Sequence, residues 1–222
     1  MSETTNYRLA GILWLTSVIT VFASLVIVLQ YDITLNPANI EEALVNVNRF
    51  AAVHAGELIL DELSYVALIT LAAPMYILFR RFDTTLALMG SLLLTAGGIV
   101  GAVHDMGNFA VTQMAEAYVN ATASDAAMWE IATLATMTTA KYGISIGGML
   151  IALGAIAYNG LMLLRQAGPR WLAIFGLVAN ALVFVAVPIG WMDPALEGAS
   201  YGLYMPFLAW QVTFGIWLLG QK

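Results

Sequence analysis

The chain has 222 residues, of which 61% are hydrophobic and only 10% charged, and its formal net charge is −6. With a mean hydropathy of +0.84, no soluble core could bury that much apolar side chain, so lipid is the expected solvent. Cysteine is absent, which excludes disulfides, thiolate nucleophiles and cysteine-ligated zinc or iron–sulfur centres, and the acidic balance argues against nucleic acid as a partner.

Six apolar segments follow one another, roughly 9–30, 50–79, 84–110, 128–164, 171–191 and 201–219. Each is close to or above the ~20 residues that a helical span requires. The expectation is an all-α, polytopic transmembrane helical bundle, with residues 1–222 forming one domain. The first segment is too long for the apolar core of a cleaved signal peptide and is followed by no small-x-small site, so it reads as the first span. Segments 31–49, 111–127 and 192–200 read as loops on one side. Pro188 and Pro206 fall inside the fifth and sixth segments, where they could kink a helix.

Orientation follows from the basic residues. Arg8, Arg80, Arg81, Arg165, Arg170 and Lys222 fall on one side of a six-span chain. The other side receives Arg49, together with Asp32, Glu41, Glu42, Glu116, Asp125, Asp193 and Glu197. The positive-inside rule then places both termini on the cytoplasmic side of the membrane. Trp171 and Trp217 suit the inner interface, and Trp129 and Trp191 the outer one.

The second span opens on VHAGELILDELSY, from Val53 to Tyr65, which carries a histidine and three carboxylates. A charge at the bilayer centre costs roughly 2.5–3.5 kcal/mol on insertion scales. Counting ~20 residues outward from the inner arginines puts Asp61, Glu62, His104, Asp105 and Lys141 near the outer boundary. His54, Glu57 and Glu130 stand farther out. At 100° per residue, His54, Glu57, Asp61 and Tyr65 share a face, with Glu62 to one side. Gly97, Gly101, His104 and Asn108 share another, and Glu130, Thr133, Met137, Lys141 and Gly148 a third. Three polar stripes at matching height imply an outward-facing vestibule. Gly97, Gly101 and the Gly147–Gly148 pair would let the helix backbones approach below it.

Several chemistries fit these residues. His104, Asp61, Glu57 and His54, with Asp105 and Glu130 near, supply ligand types for zinc, iron or manganese. His54 and His104 could instead hold a haem axially. Height separates the two histidines by ~10 Å along the helix, so His104 is expected to meet Asp61 rather than share an ion with His54. The plainer alternative is that each histidine is simply hydrogen-bonded or ion-paired. Lys141 is expected to pair with Asp61, Glu62 or Asp105, either as a structural bridge or as part of a relay. Ser64 and Ser145 lack the glycine pattern of a hydrolase elbow.

The stretches YRLAGILWL (Tyr7 to Leu15), DELSYVAL followed by FRR, ATASDA (Ala121 to Ala126) and GPRWLAIFG (Gly168 to Gly176) occur in that order. In this the chain resembles a family of bacterial multi-pass membrane proteins known only as a domain of unknown function. That family places an arginine shortly after the Ser-Asp of the third stretch, where this chain has Met128 and Trp129. The resemblance implies six spans and no activity, and it does not extend to the histidine pair. Three functions stay open. One is a membrane protein that binds a ligand or lipid, or serves as an accessory subunit with a membrane-protein partner or a second copy. The second is a small-solute or proton transporter using Asp61, Glu62 and Lys141. The third is a metal or haem enzyme using His54 and His104.

Overall fold

The computed structural model describes residues 2–33, 39–192 and 202–221. Among them are seven helices and no strand: α1 Glu3–Tyr31, α2 Ile40–Arg49, α3 Ala51–Phe79, α4 Thr84–Val119, α5 Ala123–Leu164, α6 Arg170–Met192 and α7 Met205–Leu219. Five are long and apolar enough to cross a membrane, namely α1, α3, α4, α5 and α6 to Val187. The chain is a helical, multi-pass membrane protein. The sixth expected span corresponds to α7, whose 15 described residues reach ~22 Å at 1.5 Å per residue.

At one end of the bundle α4 and α5 run well beyond their apolar segments. Segment 111–127 is not a loop. α4 runs on to Val119 and α5 begins at Ala123, leaving a turn of three residues, 120–122. At 36 and 42 residues these helices are ~54 and ~63 Å long, so they overrun a ~30 Å hydrocarbon core. Segment 31–49 likewise contains a helix, α2. Its Ile40, Ala43, Leu44 and Val47 recur at helical spacing, and the last three are buried. Ile40, Leu44 and Val47 pack with Ile33, Val111, Ala115 and Met137 in a small apolar cluster at one end of the bundle. Segment 192–200 lies almost wholly outside the described residues. Pro206 begins α7 rather than kinking it, since the first turn of a helix leaves its N–H groups unpaired anyway.

The long helices form a closed ring in which α1 packs on α3, α3 on α4, α4 on α5, α5 on α6, α6 on α7 and α7 back on α1. The most extensive of these contacts is between α4 and α5. There, Gly97 faces Gly147 so closely that a Cβ on Gly97 would lie 2.8 Å from the Gly147 carbonyl oxygen. Lower down, a Cβ on Gly154 would lie 2.8 Å from the Gly90 carbonyl oxygen. Gly148, by contrast, has open space around it. Such small-residue seams are how helices associate in lipid, where packing replaces the hydrophobic effect.

One end of the ring gathers charged side chains from the ends of the helices. Arg81 bridges to Glu3 at 2.7 Å and Arg165 to Asp83 at 3.2 Å. Tyr7 of α1 meets Trp217 of α7 edge to face at 6.2 Å. This end also holds the main core, in which Trp14 packs on Trp210 and Phe214. Among its polar groups, the indole N–H groups of Trp14 and Trp210 have no hydrogen-bond partner among the described residues, whereas Tyr158 and Ser91 are paired. The Tyr158 hydroxyl bonds Ser91 and donates to the Ala87 carbonyl at 3.3 Å, while Ser91 donates to the Ala72 carbonyl at 2.9 Å.

Candidate functional site

Toward the other end, polar side chains are inserted between the helices in two groups. The first joins α1 to α3. Ser24 donates to Glu57 Oε1 at 2.9 Å, and Glu57 Oε2 lies 3.1 Å from His54 Nδ1. All three residues are buried. His54 Nε2 is buried and has no hydrogen-bond partner among the described residues. Seven residues along each helix, Ser17 bonds Ser64 at 3.0 Å. Antiparallel helices bring residues that lie seven positions apart back onto the same seam, which is why the two rungs align.

The second group joins α3 to α4. Asp61, His104 and Asp105 each bring one donor atom within 4.8 Å of the others. His104 Nε2 lies 3.3 Å from Asp105 Oδ1. Asn108, one turn on, places its Nδ2 3.2 Å from His104 Nε2 and 3.4 Å from Asp105 Oδ1. Asp105 is wholly buried, and its Oδ2 has no hydrogen-bond partner among the described residues, nor does His104 Nδ1. In lipid every unpaired polar atom is costly, so such orphans are informative.

The backbones come this close for identifiable reasons. A Cβ at Gly101 would overlap the Tyr65 ring, so the missing side chain is what lets Tyr65 of α3 pack directly on α4 beside the site. A Cβ at Gly143 would stand 3.3 Å from His104 Cβ, so α5 closes the back of the site through another glycine.

The residues named from the sequence are distributed as follows. His54, Glu57, Tyr65 and Asp105 are buried, and Asp61, Glu62, His104, Asn108 and Glu130 are half-buried. Asp61 and His104 come together as expected. Glu57 and His54 instead engage each other, one turn farther along α3, and Asp105 takes the place beside Asp61. Each histidine thus works with its own carboxylate. Lys141 is exposed, because the face of α5 turned to α4 passes through Thr133, Met137, Ala140 and Gly147. An ion pair at so exposed a position contributes ~0–1 kcal/mol. Glu130 stands about three turns farther out on α5. Ser24 was not singled out from the sequence. Its signal is spacing: Ser17 and Ser24 are seven residues apart on one face of an otherwise apolar helix.

A family model described as a domain of unknown function, DUF4386, matches residues 9–220. The chain belongs to the DUF4386 family. No curated protein and no solved structure matches it. The DUF4386 match covers both polar groups, so the Asp61–His104–Asp105 cluster and the Ser24–Glu57–His54 rung lie within the family's domain.

Proposed function

We propose that this DUF4386 protein is a six-span protein of the bacterial inner membrane, both termini cytoplasmic, that binds a small polar or charged ligand between α3 and α4. The binding site is the outward-facing vestibule centred on Asp61, His104 and Asp105, flanked by Glu62, Tyr65 and Asn108, with His54 and Glu57 one turn along α3. One observation carries the reading: Asp105 is wholly buried with an oxygen that no described residue pairs, beside a second carboxylate and a histidine. A bundle that needed only stability would do better with apolar side chains there, since buried charged groups seldom add stability over well-packed apolar ones. A ligand-binding membrane protein, alone or as an accessory subunit beside a membrane-protein partner or a second copy, accounts for them.

A second reading is proton or solute transport through Asp61, Glu62 and Lys141. It is favoured by the Ser24–Glu57–His54 rung, which sets exchangeable protons one helical turn from Asp61. A haem shared by the two histidines is not part of either reading.

The chain has no cysteine, so a single introduced thiol can be followed without background. Asp61→Cys is expected to react with a small, charged, membrane-impermeant thiol reagent applied to the outside of intact cells. Protection of that thiol from the outside, with reaction only after permeabilisation or not at all, would defeat the outward-facing site.

A further inference from the structure

We infer that Asp61, His104 and Asp105 form a binding site for one divalent first-row metal ion, of the manganese, iron or zinc class. This rests on the ligand-binding reading above and names the ligand of that same site.

The first argument is the donor set. One imidazole and two carboxylates make a mixed nitrogen–oxygen site. Magnesium and calcium favour all-oxygen surroundings, and soft ions favour sulfur, so intermediate divalent ions fit best. The second argument is spacing. Metal bonds of ~2.0–2.2 Å place neighbouring donors ~3.0–3.4 Å apart in tetrahedral or octahedral geometry. His104 Nε2 and Asp105 Oδ1 stand 3.3 Å apart, the edge of such a polyhedron. Asp61, on the facing helix and within 4.8 Å of both, closes the third position by a small side-chain rotation.

The third argument is what the ion would resolve. Two carboxylates held this close between helices repel each other unless a proton or a cation lies between them. Asp105 Oδ2, fully buried and without a partner among the described residues, is an acceptor with nothing to accept from. A cation answers both at once. The Asn108 amide Nδ2 lies against the same two atoms, His104 Nε2 and Asp105 Oδ1, and turns aside when they take the ion, since the single lone pair of Nε2 cannot serve both. Three protein ligands leave at least one position for water or a substrate oxygen, as in catalytic rather than structural metal sites.

The test uses the full chain purified in detergent, stripped with a chelator and titrated with Mn²⁺ while the free-ion EPR signal is followed. The wild-type protein is expected to take up one ion per chain saturably, with Zn²⁺ competing, and bound Mn²⁺ to show electron spin-echo modulation from one imidazole nitrogen. Asp61→Asn or Asp105→Asn should weaken binding by at least ~10–100-fold. Glu41→Gln with Glu42→Gln, on the exposed face of α2, should leave the affinity unchanged. Absence of saturable uptake by the wild-type chain would overturn the inference, even if every variant misfolded. So would Mn²⁺ bound without nitrogen modulation, or retained by an Asp61→Asn/Asp105→Asn chain. If Asp61→Cys reacts from outside but Mn²⁺ does not bind, the metal is wrong and the ligand-binding reading stands. If that thiol is protected from outside, the reading itself fails.

Discussion

Asp83 shows how one side chain can do two jobs at the junction of elements. It is the N-cap of α4, with Oδ1 accepting from the N–H groups of Thr85 and Leu86 at 3.1 Å each. Its Oδ2 takes the Arg165 guanidinium at 3.2 Å, tying the α3–α4 turn to the end of α5. The Leu86 N–H, and after it the Arg165 hydrogen bond, hold this carboxyl below the usual carboxylate range. A group whose folded value is depressed stabilises the fold above its unfolded value, ~3.9 for aspartate, and loses that contribution as pH falls through the folded value. The melting temperature in detergent should therefore drop on acidification below about pH 4 by more in the wild-type chain than in Asp83→Asn. The asparagine keeps an acceptor for the cap but has no charge to lose. Superimposable acid limbs for the two proteins would show that Asp83 contributes nothing to the pH dependence. The sequence marks Asp83 plainly, as an Asp followed by two threonines at the start of an apolar run. It marks Ser24 only through its spacing from Ser17, and it does not mark the choice of Asp105 over Glu57 as the neighbour of Asp61, which depends on how far one helix rotates against the next.

The α4–α5 pair carries the element-scale argument, since the candidate site sits where α3 meets it. The two helices touch through Gly90, Gly97, Gly147 and Gly154, and the contact leaves no room for a methyl group at Gly97. Gly97→Ala should cost roughly 1–3 kcal/mol, as overpacking of a close contact does. Gly148→Ala, one position from Gly147 but facing open space, should be neutral or stabilising by up to ~1 kcal/mol through helix propensity. Equal melting temperatures for the two variants would contradict the seam. The pattern of small residues pointed to the α4–α5 contact, but period alone could not say which of Gly147 and Gly148 faced inward. The limits of α4 and α5 at the turn that joins them were hidden for another reason. Gln113, Glu116, Ser124 and Asp125 read as loop because they are polar, and they are helical because that part of the pair stands beyond the apolar run. The signature of α2 was present in Ile40, Ala43, Leu44 and Val47. It is masked by the acidic and amide residues between them, and it gains its partners only from Val111 and Ala115, about 70 residues away.

At the scale of the molecule, the ring closes where α1 meets α7, and this bears on the number of crossings. Five helices are long enough to span, and α7, at 15 described residues, is short for a ~30 Å core. If α7 did not cross, an odd number of crossings would leave the start of α1 and the end of α7 on opposite sides. The contacts favour the other outcome. Tyr7 in the second turn of α1 packs on Trp217 in the last turn of α7, and Gly11 accepts the close approach of Leu219. The same end collects Arg81 against Glu3 and Arg165 against Asp83, so the basic residues behind the positive-inside argument cluster there as well. Both chain ends and the α5–α6 turn are thus expected on the cytoplasmic side, and α2 on the outer side. Single cysteines at Ser2, Gln166 and Gln221 should resist a membrane-impermeant maleimide in intact cells and react after permeabilisation. A cysteine at Asn39, which precedes α2, should react at once. Labelling of Gln221→Cys from outside with Ser2→Cys protected would mean five crossings. Labelling of Ser2→Cys and Gln221→Cys together, with Asn39→Cys protected, would keep six crossings but reverse the protein in the membrane, turning the Asp61–His104–Asp105 cluster toward the cytoplasm.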